Sequence, residues 1–260
     1  MRTNKGKDAG MLGTFLCSYA TTLLECGAAT VRIEKNVGRM AEAYGGDAEV
    51  SIYPRHVEVV LKDDESGTTE VCSKAISGSV INYSTVSALS KLSWNCLDRH
   101  TPLPVAMRQY RRITHATRIP LWAVTLLAAL ANASFCRLFE GDRQAMGIVF
   151  LATVCGFHLR SVLCKRHGVD IRIATILAAC VSSVLSCSCY VFGIGSTPDI
   201  ALGTSVLYLI PGIPYLNAVS DLINGHHICA MSRFVHAITI TVCLSIGLYL
   251  GLAMMSFNGF

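Results

Sequence analysis

Residues 173–194 read IATILAACVSSVLSCSCYVFGI, 22 positions without a charged side chain. A helix needs about 20 apolar residues to cross a hydrocarbon core, so this run alone is long enough to span a bilayer. The pattern repeats on both sides of it. Ile119–Cys136 carries no charge between Arg118 and Arg137, and Ala145–Cys164 holds only Arg160, near its end where a long side chain can snorkel. Ile200–Ser220 lies between Asp199 and Asp221, and after Arg233 no charged residue follows to Phe260. A soluble bundle needs polar stripes toward water, and these runs have none. The composition agrees, with 52% hydrophobic and only 15% charged residues.

The chain is therefore predicted to form an α-helical polytopic membrane domain, residues 119–260, with five spans at about 119–136, 145–164, 173–194, 200–220 and 234–257. A small cytoplasmic α+β domain over residues 1–107 precedes it, followed by a basic juxtamembrane segment, 108–118. Orientation follows from the short loops. Arg108, Arg111, Arg112 and Arg118 precede the first span, and Lys165, Arg166 and Arg172 separate the second from the third. In the opposite loops Arg137, Glu140, Asp142 and Arg143 cancel, and Gly195–Asp199 has no Lys or Arg. Positive charge marks the cytoplasmic side, so the N-terminus is expected inside and the C-terminus, including Gly259, outside. Met1–Gly10 is charged and leads into no long apolar core, so no secretory signal is expected.

Within the N-terminal domain, Leu12, Phe15, Leu16, Tyr19 and Leu23 recur at helical spacing, and Val31–Tyr44 is a second helical stretch after the breaker Gly27. Glu49–Leu61 favours β-structure, Asp63–Gly67 a turn and Thr68–Cys72 a returning strand, while Val80–Leu97 reads as a further helix. An antiparallel sheet with helices is the expected fold of this part.

Several function classes find no support. The twelve cysteines mostly lie singly in apolar runs and behave as small hydrophobes; Cys187 and Cys189 form only a C-x-C, and His226-His227 lacks an acid–histidine pattern, so no metal and no cofactor is expected. A glycine-rich phosphate loop, an H-E-x-x-H helix and a G-x-S-x-G elbow are absent, and the chain is not expected to be an enzyme. The basic segment 108–118 suits lipid headgroups rather than nucleic acid.

The most distinctive local stretch is Ile210-Pro-Gly-Ile-Pro-Tyr-Leu-Asn-Ala-Val-Ser-Asp-Leu-Ile-Asn-Gly225. Pro211 and Pro214 each remove a backbone donor and Gly212 permits an unusual backbone angle, so a helix break is expected there. A broken helix in a bilayer must face protein or a polar cavity. Asn217 and Asp221, four apart, share a helix face, with Ser220 adjacent in sequence. The same residues also read as a kink followed by an ordinary cap.

With these residues in view, the chain resembles the N-terminal-type subunit of the threonine/serine exporter family, including its split bacterial members. The resemblance covers nearly the whole length. It is carried by Gly27-Ala28, the stretch Val50–Leu61, the approach Arg111–Pro120, and above all Pro211-Gly212-Ile213-Pro214 with Asn217, Asp221 and Gly225. Family members commonly follow Gly-Ala with an acid, where this chain has Ala29. The resemblance implies export of small polar metabolites across the bacterial cytoplasmic (inner) membrane, either hydroxy amino acids or, in the split members, dicarboxylates such as succinate. It also implies a second, smaller polytopic membrane subunit as partner, possible higher oligomers, and a small anionic or zwitterionic substrate.

The polar residues of the spans supply a provisional path, since such groups are costly in lipid and turn into the bundle. Asn132 lies inside the first span, His158 and Arg160 near the end of the second, and His236 near the start of the fifth. Arg160 is the candidate counter-charge for an anion, and Asn132 or Asn217 a candidate hydrogen-bonding group. Asp221 is the coupling candidate, because protonation removes its charge. Structural readings stand beside these: Arg160 as a snorkelling side chain, Asn132 as a joint between helices. A second function class is a non-transporting interaction or regulatory subunit that recruits a cytoplasmic partner.

Overall fold

In the computed structural model, which describes residues 2–63, 69–78, 80–116 and 119–255, helices α1 (Arg2–Glu25) and α2 (Thr30–Ala43) precede strands β1 (Gly46–Ile52), β2 (His56–Asp63) and β3 (Thr69–Ala75). Helices α3 (Tyr83–Arg99), α4 (Leu103–Thr114), α5 (Leu121–Leu138), α6 (Arg143–Arg166) and α7 (Ile171–Phe192) follow. Helix α8 (Pro198–Ser205), a 3-10 turn (Leu207–Leu209), α9 (Gly212–Ile223) and α10 (His227–Met254) complete the order. Contacts divide the chain into two units, one of residues 1–117 with 213–234, the other of residues 118–212 with 235–260.

The first unit is built around α1. Leu12, Phe15, Leu16, Tyr19 and Leu23, the residues picked out by their spacing, are all buried. They meet Ile33, Val37 and Met40 of α2, Val57, Val59 and Leu61 of β2, and Val86, Leu89 and Leu92 of α3 in one core. Each such side chain contributes about 1.5–3 kcal/mol on burial. The Tyr19 hydroxyl, pushed to an ionisation well above the ordinary phenol range by burial, donates to Leu89 O at 2.8 Å. The sheet is a meander in the order β1-β2-β3, antiparallel throughout, with Val50 opposite Val59 and Val59 opposite Cys72. Burial also pushes the Cys17 thiol beneath it up to about 12, which makes it an inert core group.

Some local expectations shift here. Glu49–Leu61 is two strands rather than one β-stretch, because the chain reverses at Tyr53-Pro54-Arg55 and the Tyr53 ring stacks on His56. Helix α3 starts at Tyr83, not Val80, since the Asn82 side chain accepts from Thr85 N and caps it. Arg108, Arg111 and Arg112 of the basic segment belong to helix α4, whose buried residue is Ala106. The expected Asp63–Gly67 turn lies, after Asp63, outside the described residues, as do Arg118 and Gly259.

The second unit contains the apolar helices. By length and composition α5, α6, α7 and α10 can each cross a membrane, with mean hydropathy 1.5, 1.7, 1.9 and 2.0. The expected span 200–220 is a broken pair: α8 with its 3-10 turn meets α9 at 62°, across Ile210 and Pro211, giving a fifth crossing if the pair counts as one span. Trp122, Leu127, Leu130 and Leu138 of α5 are exposed, as expected where lipid is the solvent. Asp142 caps α6 by accepting from Ala145 N at 2.6 Å. Gly247 and Gly251 of α10 form a small-xxx-small seam against α7: a Cβ at Gly247 would lie 2.7 Å from Ala179 Cβ, and one at Gly251 2.8 Å from Cys180 O.

Candidate functional site

Two polar clusters hold the residues that the sequence singles out, one in each unit. In the second unit, Asn132 of α5 is buried, and its Nδ2 donates to Thr153 Oγ1 of α6 at 2.6 Å and to Thr204 O of α8 at 3.0 Å. The Thr153 hydroxyl donates its own hydrogen to Val149 O, which leaves its oxygen free to accept. Both amide hydrogens of Asn132 are thus engaged between α5 and its neighbours α6 and α8.

Nearly one turn along α6, Gly156 leaves room for Tyr208 of the 3-10 turn to reach Ser182 of α7. The two hydroxyls are 2.9 Å apart, and a Cβ on residue 156 would run into both. Ser182 Oγ donates to Ala152 O at 3.2 Å, so the Tyr208 hydroxyl is the donor of the pair. Arg160 follows Gly156 by four residues and so lies on the same side of α6. It is half-buried, and among the described residues no hydrogen bond or ion pair to it is found. Helices α5, α6, α7 and α10 contain no Asp or Glu. The cluster thus sets Arg160, unpaired among the described residues, one turn along α6 from the Tyr208–Ser182 hydroxyl pair and within electrostatic reach of Tyr208, shortly before the break at Pro211 and Gly212. His158 is exposed on α6 and takes no part in it.

In the first unit, two glycine turns are held against each other. Helix α1 ends in a Schellman turn at Gly27 (φ 86°), with Ala28 N donating to Leu23 O and Gly27 N to Leu24 O. Helix α9 ends the same way at Gly225 (φ 83°), with His226 N donating to Asp221 O and Gly225 N to Leu222 O. Asn217 Nδ2 donates to Gly27 O at 2.9 Å. Asp221, fully buried, accepts from Thr30 N at 3.2 Å and pairs with Arg233 at 3.1 Å, while Arg233 Nη2 donates to Ala28 O at 3.0 Å. His226 adds a 3.3 Å contact to Glu34 of α2, and the Cys229 thiol donates to Ile52 O. Asn217 and Asp221 do act from one helix face on one turn. Ser220 is half-buried outside this set, and Pro214 sits in the first turn of α9, where a missing N–H costs nothing.

Sequence reasoning missed Thr153, Gly156, Ser182 and Tyr208, which look like ordinary span residues, and Arg233, noticed only as the last charge. For Arg233 a signal was available: Asp221 and Arg233 are opposite lone charges bracketing one short loop.

A family profile described as "Putative threonine/serine exporter" matches residues 14–255. The chain is also similar to the "Probable succinate transporter subunit YjjP" of Klebsiella aerogenes, 26% identical over 263 residues that cover 100% of this chain and 99% of that protein. The protein of the same name from Escherichia coli K12 is 30% identical over 145 residues, 55% of this chain and 56% of that one. No solved structure matches.

Proposed function

We propose that this chain, which belongs to the threonine/serine exporter family, is one subunit of a secondary exporter in the bacterial cytoplasmic membrane, and that its substrate is a small carboxylate anion, with a dicarboxylate such as succinate favoured over threonine or serine. The observation that carries the reading is Arg160, a guanidinium without a partner among the described residues, one helical turn along α6 from the site of the Tyr208–Ser182 hydroxyl pair. A guanidinium binds a carboxylate through paired N–H groups, and a low-dielectric surrounding strengthens that attraction. The ammonium of an amino acid is best matched by a free acid, whereas α5, α6, α7 and α10 carry none and Asp221 of the broken span is already paired with Arg233. Two relatives, one matched over the whole chain and one over 55% of it, are named as probable succinate transporter subunits, which supports both the substrate and a further subunit.

The proposed topology keeps residues 1–107 in the cytoplasm and crosses five times, counting α8 and α9 as one broken span. Such a path returns the end of α9 and the start of α10 to the cytoplasmic side. The bonds from Asn217, Asp221 and Arg233 to residues 27–30 support it, because they require both segments on one side. Lys165, Arg166 and Arg172 fall on that side too.

Everted vesicles carrying this chain with its partner subunit, offered labelled succinate, serine or threonine in the outer medium, test the reading. Succinate accumulation that requires the chain and falls with Arg160→Gln is expected. Accumulation of serine or threonine instead would overturn the substrate, and no accumulation of any of the three would overturn the exporter.

A further inference from the structure

Helix α2 has no cap of its own. Ala29 holds the extended N-cap backbone (φ −67°, ψ 147°) but has no side-chain oxygen to accept from the first turn. The acceptor comes instead from Asp221, 191 residues away, whose Oδ1 takes the Thr30 N–H. A carboxylate at this place is favoured twice, by the positive end of the α2 dipole and by Arg233. The Arg233 fork is divided, one nitrogen on Asp221 and the other on Ala28 O, and Asn217 holds Gly27 O. Side chains from residues 217–233 thus hold Gly27 and Ala28 of the α1–α2 connection and Thr30, the first residue of α2. Asp221 has no solvent-accessible surface.

We infer that Asp221 is the N-cap of α2 supplied from across the fold, and that Arg233 is a positioning residue for transport, locking the α9–α10 turn onto the α1–α2 turn so that a displacement of α9 is handed to the N-terminal helices. Arg233 acts through Asp221 and not on substrate. The transport half of this inference rests on the exporter reading; the capping half does not.

Hydrogen exchange of the α2 first-turn amides, Thr30–Ile33, in the purified full-length chain tests the cap, and vesicle flux with the partner subunit tests the lock. Replacing both charges, Asp221→Leu with Arg233→Met, avoids stranding one buried charge. It is expected to speed exchange of these amides about tenfold, a loss of roughly 1.4 kcal/mol of protection, and to abolish flux at matched abundance. Adding Ala29→Asp to that pair restores a cap within the helix. Protection is then expected to return to within about threefold of the original, since Asp is a good cap, while flux stays lost because the lock is still absent. Unchanged exchange in the charge-free pair would overturn the capping assignment, and recovery of flux with Ala29→Asp would overturn the lock.

If the pair fails to insert, Arg233→Lys decides the matter, because it keeps the charge but not the two-pronged fork. Faster exchange at Thr30 with reduced flux is expected, and wild-type values of both would overturn the inference. Should the unmodified complex move none of the three substrates, the exporter reading falls and exchange alone still decides the cap.

Discussion

Replacing Asn132 isolates the polar joint of the second unit. Asn132→Ala removes two donated hydrogen bonds, at 2.6 Å to Thr153 Oγ1 and 3.0 Å to Thr204 O, from a side chain that is 3% exposed. Interhelical hydrogen bonds in membrane proteins average about 0.6 kcal/mol each and reach about 1.7. Two of them give an expected loss of about 1–2 kcal/mol, with a further contribution from the small void. Thr153→Val removes the acceptor of the shorter bond alone and leaves Val149 O without its side-chain donor. A double-mutant cycle cancels that side effect and should report a coupling of about 0.5–1.5 kcal/mol. The assay is reversible unfolding in mixed micelles, followed by helix content and by a label on α6. A coupling indistinguishable from zero would refute the joint. So would an Asn132→Ala chain of full stability that has lost transport, because the amide would then act on substrate.

Three further outcomes follow from the geometry. Arg160→Gln should raise the apparent KM for succinate about ten- to a hundredfold, the loss of one charge-assisted contact worth roughly 1.5–3 kcal/mol, and Arg160→Lys should recover part of it; flux curves at matched abundance decide. Gly156→Ala should lower the unfolding midpoint by the equivalent of about 1–3 kcal/mol through overpacking, despite the better helix propensity of Ala, since its methyl would collide with the Tyr208 and Ser182 hydroxyls and lie 3.1 Å from Ala178 O. Asp142 is held below the ordinary carboxylate range by the backbone N–H groups of Ala145 and Ser196. A depressed carboxylate contributes stability that is present above its unfolded value and lost only as pH falls through the lowered one, so protection of the Ala145 amide should persist to pH values below about 3.9 and then collapse; collapse above that pH, or an identical profile for Asp142→Asn, would refute the cap.

What could be read in advance was whatever depends on local pattern. The spans declare themselves because an uncharged run of twenty residues has few other stable uses, and Leu12, Phe15, Leu16, Tyr19 and Leu23 because a buried stripe repeats with the helix. Pro211 and Gly212 announce the break through backbone chemistry alone. The hairpin at Pro54 was not read, because the β-rich residues on either side run together as one stretch. Helix α4 was legible but passed over: Leu103, Ala106, Met107, Tyr110 and Ile113 recur at helical spacing and pack on the core of the first unit, while the arginines between them drew the reading toward lipid headgroups. The trans cap was beyond local reading, because Asp221 and Thr30 are 191 residues apart and nothing in either neighbourhood names the other. Gly156 is similar: only the tertiary meeting of Tyr208 with Ser182 explains the missing side chain.

The glycine seam on α10 also has a kinematic meaning. At Gly247 and Gly251 the backbone of α7 comes so close that only a hydrogen atom fits. Turning α10 about its own axis would swing Leu248 or Leu250 into that gap, and sliding it by one residue would do the same. A screw motion along this contact is therefore blocked in both of its components, so α7 and α10 form a fixed frame within the second unit. Helix α5 is joined differently, by the exchangeable hydrogen bonds of Asn132 to Thr153 Oγ1 and Thr204 O instead of by an interlocked glycine backbone.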